Sequence, residues 1–114
     1  MTLLWENPAR SNEFAAQSVS FDASKYNAFL VFFSMQTGYR LYSAVLLKGE
    51  ASALPFTYVD ANYAFLHGTR YVVINDTGAS FENNYISVRM ATGAEVFAWM
   101  RNDMGIPYRV YGLK

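Results

Sequence analysis

The sequence predicts an all-β fold, an antiparallel β-sandwich or jelly-roll-like domain, and three observations carry that expectation. In the stretch Tyr26 to Gln36 (YNAFLVFFSMQ), Phe29, Leu30, Val31, Phe32 and Phe33 run without a break. An extended segment built this way offers apolar side chains to both faces and asks for cover on two sides, which suits the central strand of a two-layer fold. Segments of period-two alternation then recur at spacings of roughly 8 to 12 residues, with turn residues between them. No alternation of strands with long helical repeats appears, so parallel βαβ units have no support.

Taken in order, Leu3, Leu4 and Trp5 form a short apolar run that Asn7-Pro8 stops, which predicts a first edge strand. Phe14 to Phe21 alternates, with Ala15, Gln17, Val19 and Phe21 on one face and Ser18 and Ser20 on the other. Asp22 to Lys25 supplies turn chemistry before the central strand. Gln36-Thr37-Gly38 reads as a turn and Tyr39 to Lys48 as the hairpin partner, with Leu41, Val45 and Leu47 sharing a face around Ser43. Gly49 to Ala53 reads as a polar loop, and Pro55 marks Phe56 to Val59 as edge or irregular structure. Asp60 to Gly68 has no clean period and is expected to be a loop with some strand character.

Thr69 to Asn75 is predicted to be a strand with Tyr71 and Val73 opposing Val72 and Ile74, ended by Asp76-Thr77-Gly78. Phe81 to Met90 places Ile86, Val88 and Met90 on one side and Tyr85, Ser87 and Arg89 on the other, an amphipathic strand of the sandwich type. Ala94 to Asp103 suits either a helical or a strand face, and the all-β context favours strand. Ile106 to Lys114 closes the sheet, with Ile106, Tyr108 and Val110 opposing Arg109, Tyr111 and Leu113.

The 114 residues are enough for one core, and one domain over residues 1–114 is expected, since no linker or repeat interrupts the pattern. Hydrophobic residues make up 53% and charged residues 16%, so some apolar surface is expected to meet a partner. Nine basic and nine acidic residues cancel, which argues against duplex nucleic acid and anionic membranes as partners. The apolar runs are too short to span a bilayer, so no membrane insertion is expected. The opening MTLLWENPAR lacks a basic start followed by a long apolar run, so export by lysis or within an assembly is expected rather than by a secretory signal.

Cysteine is absent, which removes disulfides, thiolate nucleophiles and Cys-based zinc sites together. His67 is the one histidine, so a metal site would have to draw on carboxylates such as Asp60; a hydrogen-bonded or solvated loop histidine is the simpler reading. No Gly-x-Ser-x-Gly elbow or nucleotide fingerprint occurs, and carboxylate pairs such as Asp60 with Asp76 or Glu82 have a spacing that says nothing. Asn75-Asp76-Thr77 matches a glycosylation sequon and is read as turn chemistry. Neither a cofactor nor enzymatic activity is expected.

Aromatics are in excess, with nine Tyr, nine Phe and two Trp. A tyrosine joins a flat apolar face to a hydroxyl, as saccharide stacking or a protein interface requires. Tyr39, Tyr42, Tyr58 and Tyr63 lie in or beside predicted turns. Tyr58, Asp60, Asn62, Tyr63 and His67, falling in one irregular loop, form the candidate cluster for ligand or receptor contact, against the plainer reading that most aromatics fill the core and its rim.

The two ends of the chain carry a resemblance. Leu4-Trp5-Glu6-Asn7-Pro8, followed by Phe14-Ala15-Ala16-Gln17 and then Asp22-Ala23-Ser24-Lys25-Tyr26 before an apolar strand, resembles the terminal domain of phage tail-fibre and minor structural proteins. Those proteins commonly end in a segment similar to Ile106-Pro107-Tyr108-Arg109-Val110-Tyr111-Gly112-Leu113-Lys114, and Gly68-Thr69-Arg70 before a strand also fits. The resemblance covers both outer thirds and implies a virion or prophage structural module of β-sandwich type, oligomeric, with no catalytic residues to carry over. The expected function is therefore that of a self-associating tail-fibre, tail-tip or head-decoration module, favoured as a homotrimer. Its expected partners are other virion proteins and a host surface glycan, and its expected location is the virion, with the host cytoplasm during assembly. The alternative is a carbohydrate-binding module using tyrosine stacking.

Overall fold

The computed structural model describes residues 1–36, 40–58, 63–90 and 96–114. Among these lie nine strands and no helix: β1 (Thr2–Glu6), β2 (Gln17–Ser20), β3 (Ala28–Gln36), β4 (Leu41–Leu47), β5 (Ser52–Tyr58), β6 (Tyr63–Asn75), β7 (Gly78–Met90), β8 (Val96–Met100) and β9 (Met104–Leu113). They form two antiparallel sheets, one of four strands in the order β1-β9-β3-β4 and one of five in the order β2-β7-β6-β5 with β8 also on β7. Because β6 occupies one edge of β7, β2 and β8 share the other: β2 pairs with residues 78–81 and β8 with residues 85–89. The two sheets pack face to face as a sandwich, as the alternation predicts. Strands β6 and β7, 13 residues each, span about 43 Å at 3.3 Å per residue, which accounts for the long axis of 49 Å.

Strand β3 is the interior strand that its sequence demands, hydrogen-bonded to β9 and β4. Phe29, Val31, Phe33 and Met35 enter the core, where they meet Leu54, Phe56, Val72, Ile74, Phe81, Ile86 and Val88 from the other sheet. Each such side chain contributes roughly 1.5–3 kcal/mol of transfer free energy. The other flank differs from the expectation of full cover: Leu30 and Phe32 are half-buried, sheltered within their own sheet, with Tyr111 edge-on to Phe32 at 5.9 Å. At one end Phe14 plugs the sandwich, T-shaped against Phe81 at 5.4 Å and against Trp5 at 6.2 Å.

Several boundaries depart from the pattern read in the sequence. Strand β2 is confined to Gln17–Ser20, and Phe14 is buried although its parity opposes that of Val19, because residues 14–16 have left the ladder and the Ala16 N–H donates to Asn83 Oδ1 at 2.8 Å. Strand β5 starts at Ser52, inside the expected polar loop, and buries Leu54; it is the edge strand that Pro55 signals. Strand β6 starts at Tyr63, so residues 63–68 are ladder rather than loop. Gly68 reads as a strand breaker but serves packing: the Phe56 ring lies where a Cβ would stand. Residues 94–95 lie outside the described residues, and Val96–Met100 forms a strand, as the context favoured.

In β7, Glu82 and Asn83 both oppose Tyr71, a bulge that lets Phe81 and Asn84 both point inward although they are three residues apart. Asn75 Oδ1 accepts from the Thr77 N–H and hydroxyl, both at 3.0 Å, so the sequon residues do form the turn chemistry expected of them. Asp22 Oδ1 does the same for Ser24, at 3.0 and 2.6 Å. The expected turn at residues 37–38 lies outside the described residues.

Candidate functional site

The outer face of the five-stranded sheet is built from three cross-strand rows. Pro55, Thr69, Tyr85 and Met100 are successive partners across β5, β6, β7 and β8. Beside them runs Thr57, His67 and Ser87, and on the other side Ala53 pairs with Tyr71. Alternation dictates this: the neighbours Arg70, Val72, Ile86 and Val88 are buried, so the odd-numbered residues turn out. Tyr71 and Tyr85 are 56% and 53% exposed, large values for aromatics in mid-sheet, and Met100 is 51% exposed beside Tyr85. With His67, Thr69 and Ser87 the two tyrosines line a shallow depression of about 310 Å³. His67 Nδ1 lies 3.2 Å from Thr57 Oγ1, a cross-strand pair that steadies the ring.

The sequence-predicted cluster is only partly brought together. Of its five residues, His67 stands on this face, as a strand residue rather than a loop residue. Tyr58 lies in β5, paired with Leu66, and Tyr63 lies in β6, paired with Met90. Asp60 and Asn62 lie outside the described residues. Tyr42, expected at a turn surface, packs inward instead: it stacks on Phe33 at 5.9 Å and its hydroxyl donates to Thr57 O at 3.4 Å. Tyr71 and Tyr85 stand outside the predicted cluster because they sit in mid-strand, yet the amphipathic pattern of residues 81–90 already turns Tyr85 away from the core.

A second surface is the outer face of the four-stranded sheet. Leu3, Leu41, Val45 and Leu47 are between 47% and 64% exposed there, and half-buried Leu30, Phe32 and Tyr111 lie among them. The face is largely aliphatic and carries one ion pair: Arg109, on interior strand β9 opposite Phe32, pairs with Glu6 of β1 at 3.2 Å. Strand β4 (LYSAVLL) is an edge strand with neither charge nor proline, the protections that edges ordinarily carry.

The largest fully buried side chain is the polar one of Arg70, and its role is structural. Its Nε donates to Gly105 O at 2.8 Å, Nη1 to Glu82 O at 2.7 Å and Nη2 to Met104 O at 3.3 Å, with the Phe14 ring 5.3 Å away. Burial pushes its guanidinium down to about 10, so it stays charged at neutral pH. Asn84 extends this cluster, donating to Arg101 O at 3.0 Å. No group of three or more potential metal ligands occurs among the described residues. Asp76, one of the carboxylates considered for acid chemistry, is taken by Lys48 at 2.6 Å. Compared with known proteins, the chain matches no protein-family model, no curated protein and no solved structure.

Proposed function

We propose that this chain is a non-enzymatic structural module of a phage or prophage virion, belonging to a tail fibre, tail tip or head decoration, whose copies self-associate through the outer face of the four-stranded sheet. The observation that carries the reading is the largely aliphatic face formed by Leu3, Leu41, Val45 and Leu47, on which the charges of Arg109 and Glu6 are paired with each other, beside the unprotected edge strand β4. Four strands at about 4.8 Å and seven residues at about 3.4 Å give a face of roughly 20 by 24 Å, the scale at which apolar patches mark interaction sites. A second copy of the chain fits it, because like faces without net charge meet without repulsion. A homotrimer with these sheets turned toward its axis is the expected state.

The resemblance at the chain ends supports the same reading from another side. The two segments that carry it are neighbours in space: β1 pairs with β9 from Thr2↔Gly112 to Glu6↔Arg109, and Asn7 Nδ2 donates to Pro107 O at 2.9 Å. They form one continuous piece of sheet. Light scattering tests the proposal: the chain is expected to run as an oligomer, and a monomer at high micromolar concentration overturns it. The exposed Tyr71 and Tyr85 favour a second reading, a carbohydrate-binding module that would place the protein at the host surface.

A further inference from the structure

We propose that the outer face of the five-stranded sheet binds a neutral oligosaccharide, laid across β6 and β7 with pyranose rings on Tyr71 and Tyr85. The inference rests on the second reading above and gives it a site and a ligand class. A pyranose has one face of C–H groups and a rim of hydroxyls, so it needs a flat aromatic surface flanked by hydrogen-bonding groups at ring height. Tyr71 and Tyr85 supply the first, standing on adjacent strands with more than half of each side chain open. Thr69, Ser87 and His67 supply the second: Thr69 is the direct cross-strand partner of Tyr85, and Ser87 that of His67.

Charge selects the class. Among the described residues lining the depression there is no Asp, Glu, Lys or Arg, so an acidic or basic glycan has nothing to pair with there. The mixture also separates this face from the opposite one. A protein contact suits the bare leucines and valine of the four-stranded sheet, whereas the hydroxyl-bearing Thr69 and Ser87 beside the tyrosines keep hydrogen bonds available to a hydrated ligand. Held on interior strands, the two rings lose little freedom on binding, since tyrosine has only two side-chain torsions to fix. Two platforms rather than one point to a chain of sugars.

The test is an array of neutral and acidic glycans probed with the intact protein, followed by calorimetric titration of the best neutral hit. Binding to a neutral glycan is expected, weakened at least about fivefold by Tyr71→Ala and by Tyr85→Ala and unchanged by Glu50→Gln in the exposed connection between β4 and β5. Equal melting temperatures show that the exposed substitutions leave the fold intact. Binding of a neutral glycan that ignores both tyrosine variants overturns this site while sparing the carbohydrate reading. No neutral binding on the array or at about 10 mM in solution overturns both. Binding of acidic glycans alone, or loss of the oligomer on Tyr85→Ala, overturns the assignment of a neutral sugar to this face.

Discussion

Arg70 holds a positive charge between the two sheets, facing three backbone carbonyls and an aromatic ring. The arrangement works because the carbonyls of Glu82, in the bulge of β7, and of Met104 and Gly105, at the start of β9, would otherwise be buried acceptors without donors. Arg70→Met keeps the volume and removes the donors. It is expected to lower the free energy of unfolding by about 2–4 kcal/mol in urea titration. Arg70→Lys should recover only part of this, because an ammonium cannot fork to three acceptors. Stability unchanged in Arg70→Met would mean that the carbonyls find other donors. Since burial lowers this base to about 10, its linkage makes stability rise with pH only above about 10, outside the physiological range.

Acid acts at Asp103, at the other end of the pH scale. Its carboxylate accepts from Arg101 Nε and Nη2, each at 2.7 Å, and this hydrogen bonding holds its pKa below the ordinary 3.8. A depressed carboxylate contributes stability above its unfolded pKa and loses it as pH falls through the folded one. Asp103→Asn is therefore expected to flatten the loss of stability below about pH 4, read as melting temperature against pH. The pair is more than a third exposed on the arginine side, so the effect at neutral pH is small.

At the scale of elements, the hairpin β5–β6 turns on Gly68. The Phe56 ring covers its backbone, and Phe56 is itself fixed in the core beside Tyr42 at 6.2 Å. Gly68→Ala pushes a methyl into a ring that cannot retreat, and is expected to cost about 1–3 kcal/mol. Phe56→Leu should relieve part of that cost, so the double variant should be less destabilised than the sum of the two singles. A neutral Gly68→Ala would show that the ring and strand separate freely.

The same glycine shows why the sequence was legible in some places and not in others. Where an amphipathic alternation is unbroken, as at Tyr85, Ile86 and Val88, the facing of each side chain could be read directly, whereas at Tyr71, Val72 and Ile74 the alternation gave two opposed faces without marking the buried one. Residues 63–68 lost that legibility because the glycine's reason lies on another strand. Phe81 and Asn84 could not be reconciled by parity, since a bulge in β7 reverses it between them. The candidate cluster failed for a related reason: it assumed that one irregular loop gathers its residues, whereas the ladder places Tyr58, Tyr63 and His67 at separate positions on two strands. Sheet order was beyond reach, because β1 meets β9 across nearly the whole chain, and no local pattern encodes that pairing.

At the scale of the whole molecule the two sheets present different outer faces, and assembly and stability should be coupled through only one of them. An aliphatic side chain exposed in the monomer and buried in the oligomer adds transfer free energy to the assembled state alone, at about 25 cal/mol per Å² before association costs. Melting temperature should therefore climb with protein concentration, because association draws on the folded chain and not on the unfolded one. Val45 is the most exposed residue of the aliphatic group and lies in the middle of edge strand β4, opposite Leu30. Val45→Lys places a charge on the β4 edge of the face while touching nothing in the core, so the monomer should fold with a stability within about 0.5 kcal/mol of the parent chain. Its melting temperature should be flat over a hundredfold range of about 1 to 100 μM, whereas that of the parent chain rises. Parallel curves with the same slope would move the contact away from this face, and two flat curves would remove self-association from the molecule altogether.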